Sequence, residues 1–218
     1  MSQQGPNAPN PWSAYYGPGE VPRPKDLTLT AVLAVLTAGL VTASSVVDAL
    51  VVDDAIADPD AASWAALAYF GNTVLYFVLL VGAYVATCLW LWRARENAGL
   101  LSPDIHHARS RGWIWGGWVC PIVNFWFPFQ VVRDIYRATV RLPQASPAIG
   151  GWWAMWVILL IVTRISDRLA TSAVDGATGN GAEAASAVVA VLSVVCLVLW
   201  AAVVRQVTRR QHEALGLG

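Results

Sequence analysis

GWIWGGWVCPIVNFWFPFQVVRDIYRATVR, Gly112–Arg141, is the stretch that decides how this chain is threaded. Its first part, Gly112 to Val132, is almost unbroken apolar and aromatic sequence, and about 20 such residues suffice to cross a bilayer. Yet Pro121, Asn124 and Pro128 interrupt it, and Arg133, Arg137 and Arg141 follow at helical spacing. Each proline lacks an amide donor and frees the carbonyl four residues earlier, at Gly117 and at Asn124. Hydrocarbon offers nothing to such groups, so broken backbone is tolerated only against protein or water. The stretch therefore reads as a re-entrant or interfacial segment, 112–128, that returns to the face it came from. An amphipathic helix over 129–142 follows. There Phe129, Val132, Ile135 and Tyr136 lie opposite the arginines, the pattern of a helix resting on the inner leaflet.

Composition supports a membrane setting. Of the 218 residues, 56% are hydrophobic and 13% charged, against roughly 45–50% and 25% in soluble domains. The expected fold is an all-α integral membrane protein with four transmembrane helices, at about 27–52, 64–92, 150–170 and 185–204, within a membrane domain of 27–210. Six of the twelve prolines fall in the first 24 residues, so 1–26 reads as a disordered Pro/Gly-rich tail. Residues 211–218 read as a second short tail. A signal peptide is not expected, because residues 1–27 lack a basic start followed by an apolar core.

Charge placement tests the threading. If 112–132 crossed, five spans would divide the basic residues eight to six, which is no bias. If it returns, four spans place twelve of fourteen basic residues on one side, and the loops 53–63 and 171–184 on the other side carry none. Positive charge marks the cytoplasmic side of short loops. Both termini are thus expected to be cytoplasmic, and the segment does not cross. Ten of the twelve tryptophans, among them Trp113, Trp118, Trp152 and Trp153, then gather near the inner face, where an indole buries its rings and keeps its N–H bonded. A net charge of zero gives no basic field, so nucleic acid is not an expected partner. Cys88, Cys120 and Cys196 sit in apolar runs without a C-x-x-C spacing and read as small buried hydrophobes.

Three polar groups invite a functional reading. The first is at the inner face: Arg93, Arg95, Asn97, Asn124, Arg133, Asp134 and Arg137. These residues anchor helices at anionic lipid, or they form a pocket where Asp134 pairs with Arg93 or Arg95 and the arginine forks take a phosphate or carboxylate. The second group is Arg164, Asp167 and Arg168 in the third span, with Asn72 and Ser44 as further partners. Arg164 lies about 18 Å above Trp152 at 1.5 Å per residue, so it is either an intramembrane site or a side chain snorkelling to the outer headgroups. The third is His106-His107 beside Asp104. Without further ligands nearby, this reads as a solvated loop, and neither a metal nor a cofactor is expected. H-E-x-x-H, G-x-S-x-G and phosphate-loop motifs are absent from the sequence, so no catalytic residue is assigned. CLWLWR (Cys88–Arg93) and CLVLW (Cys196–Trp200) hint at an internal repeat.

The block WLWRARENA (Trp90–Ala98), the stretch quoted above and Trp152-Trp153 resemble a bacterial membrane family, that of the domain of unknown function 4328. The positions carrying the likeness are Trp90, Arg93, Asn97, Ala98, Pro121, Ile122, Asn124, Pro128, Asp134, Ile135 and Arg137. The resemblance implies a multi-span bacterial plasma-membrane protein with a Pro/Gly-rich soluble tail, and it implies no reaction. From the residues, the leading expectation is a non-enzymatic binding or regulatory module engaging anionic lipid headgroups or a small anion. A small transporter or channel component using Arg164, completed by homo-oligomerisation, is the alternative. A membrane enzyme acting on lipid-linked substrates through Asp134 or a histidine is the third.

Overall fold

The structure, a computed structural model, describes residues 23–57, 62–142, 146–174 and 180–217. Helices account for nearly all of them: α1 (Thr28–Ala57), α2 (Ala62–Leu101), α3 (Trp113–Val119), α4 (Phe127–Val140), α5 (Pro147–Val174) and α6 (Asn180–Leu215). Among the described residues there is no β-strand. Four stretches, Thr28–Val47, Phe70–Leu101, Pro147–Leu169 and Ala184–Leu215, are long and apolar enough to cross a membrane. Leu36, Phe77, Val78, Ile161 and Val198 are all exposed on these helices. Side chains of this kind have no place on a water-facing surface and fit a lipid-facing one.

The helix ends follow local chemistry. Asp26 Oδ1 accepts from the Thr28 amide at 2.7 Å and starts α1. Ser146 Oγ accepts from the Ala148 amide at 3.3 Å, with Pro147 at the first helical position of α5. Gly216 ends α6 at φ +67°, and the Leu217 amide reaches back to the His212 carbonyl at 3.0 Å.

One end of the bundle gathers the starts of α1 and α5 and the finishes of α2 and α6. Asn97 of α2 meets Lys25, His212 of α6 meets Leu27, and Ser146 meets Gln206 of α6. The segment 102–142 begins and finishes at this same end: the Ala108 amide donates to Asp134 at 2.8 Å, and Ser102 Oγ donates to the Ala138 carbonyl at 2.7 Å. Gly112–Val132 therefore does not run through the bundle to its other end. Between these points, Tyr84 and Cys88 of α2 donate to the carbonyls of Trp115 and Ile114 at 3.0 and 3.2 Å, so α3 descends beside α2.

The prolines act at helix boundaries. Pro121 follows the residue that caps α3, and Pro128 sits in the first turn of α4, where an amide donor is not needed. Gly117 allows the two short helices to touch, since a Cβ there would lie 3.3 Å from the Phe127 Cβ. The tryptophans fill the space above. Trp90 meets Trp200 edge-to-face at 5.5 Å, Trp200 meets Trp152 at 4.8 Å, and Trp118 meets Trp156 at 5.9 Å.

Several boundaries differ from the sequence reading. Lys25 and Asp26, assigned to the tail of 1–26, dock against α2 and α6; residues 1–22 lie outside the described residues. The tail expected at 211–218 is mostly the last turn of α6, in which Gln211 is fully buried. The helix expected at 129–142 is α4, and its apolar face does not lie open to a leaflet. Val132, Ile135 and Tyr136 are buried against the bundle, because α4 stands beside α2 and α6. Trp90, Trp152 and Trp200 are core residues, whereas an interfacial belt would leave them half in lipid headgroups. Cys120 is exposed, in contrast to the buried Cys88 and Cys196.

Candidate functional site

The inner-face residues are brought to one end of the bundle, and most are engaged in holding it together. Asn97, fully buried, spans the Lys25 backbone: its Oδ1 accepts from the Lys25 amide and its Nδ2 donates to the Lys25 carbonyl, both at 2.7 Å. This reciprocal pair copies the way one β-strand residue satisfies another. Arg93 donates to the neighbouring Asp26 carbonyl at 3.3 Å. The Leu27 amide donates to His212 Nε2 at 3.2 Å, and Leu27 is sealed beneath. Residues 25–27 thus form a strap pinned to α2 and α6. The two hydrogen bonds from Thr28, backbone and side chain, hold the exposed Asp26 carboxyl below the usual carboxylate range.

Asp134 does not pair with Arg93 or Arg95. Its Oδ1 accepts from Nε and a terminal nitrogen of Arg133 at 2.9 and 2.8 Å, and Oδ2 accepts the Ala108 amide. The adjacent Arg133 and the Ala108 amide of loop 102–112 together take up both oxygens of this carboxylate. Arg95 donates instead to the Arg109 carbonyl at 2.5 Å, and Arg109 donates to Gln130 while its guanidinium lies 3.8 Å above the Phe127 ring. Arg141, the one non-glycine residue with positive φ among those described, closes α4 onto the Leu101 carbonyl and Ser102 Oγ. Asn124 Oδ1 is buried and without a partner. Arg137 is half-buried.

Loop 102–112 also departs from expectation. His106 is exposed, whereas His107 is half-buried near Asp134. Burial, reinforced by Arg95 and opposed by Asp134, brings the His107 imidazole down to about 4. No spacing signal foretold this, because the burial arises where the loop meets Arg95 of α2 and Asp134 of α4. Sequence reasoning likewise passed over Gln211, whose Nε2 donates to the Ala94 carbonyl at 2.8 Å and Thr139 Oγ1 at 2.9 Å, while its Oε1 has no partner.

Of the second group, Arg164 is 82% exposed on α5 and lies 3.7 Å from Asp167, one turn away; Arg168 is also exposed. Asn72 pairs elsewhere, joining α2 to α1: Ser44 Oγ donates to its Oδ1 at 2.9 Å, and its Nδ2 donates to the Ser44 carbonyl at 3.2 Å.

The two ends of the bundle differ sharply in charge. Twelve of the fourteen basic residues lie at the strap end, where the described acidic residues are Asp26, Glu96, Asp104, Asp134 and Glu213. The remaining basic residues are Arg164 and Arg168; the sequence between α1 and α2 and that between α5 and α6 contain acidic residues and no basic ones.

Four long apolar helices, closed at one end by a folded-back pair of short ones, make this a multi-span α-helical membrane protein. More narrowly, the chain belongs to the family of the domain of unknown function (DUF4328), which matches residues 53–209. No curated protein and no solved structure matches it.

Proposed function

We propose that this protein is a non-enzymatic membrane module whose basic end engages anionic phospholipid headgroups on the cytoplasmic leaflet of a bacterial plasma membrane. The concentration of twelve basic residues at one end of a chain of zero net charge carries this reading. Arg93, Arg95 and Arg141 each give hydrogen bonds to backbone carbonyls. Such bonds orient a guanidinium without cancelling its charge. Each basic residue near an anionic surface contributes about 1 kcal/mol, so several together outweigh the few carboxylates among them. In this setting α3 and α4 are the re-entrant segment, and the strap of residues 25–27 lies in the same headgroup layer.

The test is native mass spectrometry of the full chain released from mixed phosphatidylglycerol and phosphatidylcholine. Wild-type protein retains phosphatidylglycerol in preference, and Arg93→Ala/Arg137→Ala lowers that retention. Equal retention of the two lipids by wild-type protein refutes the reading.

A further inference from the structure

Between α1, α6 and the first turn of α5 lies an open groove of about 1170 Å³. Val32, Val35 and Leu36 of α1 form its apolar wall, and Arg205, Arg209 and Glu213 line it from α6, Glu213 nearest the strap end and Arg205 about two turns deeper. We propose that this groove seats one anionic phospholipid, its phosphate at Arg205 and Arg209 and an acyl chain along α1. The proposal rests on the headgroup reading above and adds a defined site to it.

Dimensions and charge both support this occupant. From Thr28 to Leu36 the groove follows α1 for about 12 Å, room for the headgroup and the first part of an acyl chain that continues along the exposed Leu36 and Leu40. The stretch lies within the span Thr28–Val47, so the wall faces lipid, and Val32 and Leu36 are each 55% exposed. At the mouth Arg209 reaches Glu213 only at 3.8 Å with both side chains more than half exposed, and the exposed Arg205, one turn deeper, extends its guanidinium toward the same headgroup level. Two guanidinium groups against one carboxylate leave a net positive mouth, and planar forks suit phosphate oxygens. His212 also lines the groove, but its Nε2 is committed to the Leu27 amide. A wholly apolar partner would leave the arginines desolvated, and a free anion would leave the wall unused; a phospholipid satisfies both parts.

The experiment places a photoreactive phenylalanine analogue at Val32 of the full chain, in nanodiscs of phosphatidylcholine with a minor fraction of phosphatidylglycerol. Lipid adducts are then counted by mass spectrometry. The same analogue at Val78, exposed on α2, reports the bulk lipid ratio. Each arginine near anionic lipid supports about a fivefold preference, so adducts at Val32 should be enriched in phosphatidylglycerol by up to about 30-fold over those at Val78. Arg205→Gln/Arg209→Gln abolishes the enrichment and Arg205→Lys/Arg209→Lys keeps most of it. Adducts at the bulk ratio, adducts to the chain's own N-terminal residues or to another protein, or displacement of lipid by inorganic phosphate would each overturn the site. Native mass spectrometry of the same samples separates the two claims. Preferential retention of phosphatidylglycerol with bulk-ratio adducts at Val32 refutes the groove alone, and no preferential retention refutes the headgroup reading as well.

Discussion

Replacing Asn97 by Leu removes both hydrogen bonds to the Lys25 backbone while keeping the volume of this fully buried position. A neutral hydrogen bond contributes a net of about 0.5–1.5 kcal/mol, and Lys25 itself is exposed enough for water to take over its groups. Losing the pair therefore weakens the strap by about 1–3 kcal/mol. Leu27 remains as an independent anchor, since its side chain is completely buried, which is worth about 1.5–3 kcal/mol. The strap should loosen without the bundle unfolding. Amide hydrogen exchange in nanodiscs reads this at Leu27, whose N–H is held by His212. Its exchange should rise about 5- to 150-fold in Asn97→Leu, taking 1.4 kcal/mol per tenfold, while amides in the middle of α2 exchange as in wild type. An unchanged Leu27 amide would show that the paired bonds do not hold the strap. Equal acceleration throughout α2 would show that Asn97 supports the bundle rather than the strap.

Predictions at three other positions follow from the same contacts. Gly117→Ala sets a Cβ 3.3 Å from that of Phe127, so thermal unfolding in detergent should show a loss of about 1–2 kcal/mol, with Gly117→Val worse. His107 binds its proton at about 4 when folded, below its ordinary 6.5. The unfolded chain therefore takes up the proton first on acidification, and stability that is complete above about pH 6.5 declines toward pH 4 by about 1–3 kcal/mol. His107→Asn should flatten this part of a melting-temperature profile, and an equally steep decline in the variant would assign it to other groups. Gln211→Leu gives up two hydrogen bonds but also removes a buried oxygen with no partner. Its melting point should stay within about 1 kcal/mol of wild type, whereas Gln211→Ala, which leaves a cavity, should lose about 2–4 kcal/mol.

The spans were legible because lipid imposes one rule along their whole length: about 20 apolar residues, with charges sorted between the ends. That Gly112–Val132 begins and ends at one end of the bundle was legible in its prolines and in the arginines after it. What Asn97, Asp134 and Arg95 touch was not. Their partners, the Lys25 backbone, Arg133 with the Ala108 amide, and the Arg109 carbonyl, depend on how the strap 25–27 and loop 102–112 fold back onto the helices. An amphipathic pattern such as that of α4 is also silent about its neighbour, because protein and lipid present equally apolar surfaces. The same ambiguity applies to tryptophan: Trp90 and Trp152 are where a belt would place them, yet they pack on Trp200. Burial of His107 and the groove beside Arg205 and Arg209 arise from tertiary juxtaposition and leave no spacing signature.

The threading of α3 and α4 is tested most directly by single cysteines at Arg23, Leu142 and Gly216, in a chain whose native cysteines are replaced, with an impermeant maleimide added to intact cells. All three should stay unlabelled until the membrane is opened, while a cysteine in the connection between α1 and α2 labels at once. Cysteines at Leu142 and Gly216 that both react from outside while Arg23 remains protected would mean that Gly112–Val132 crosses the membrane, and would contradict the fold described above.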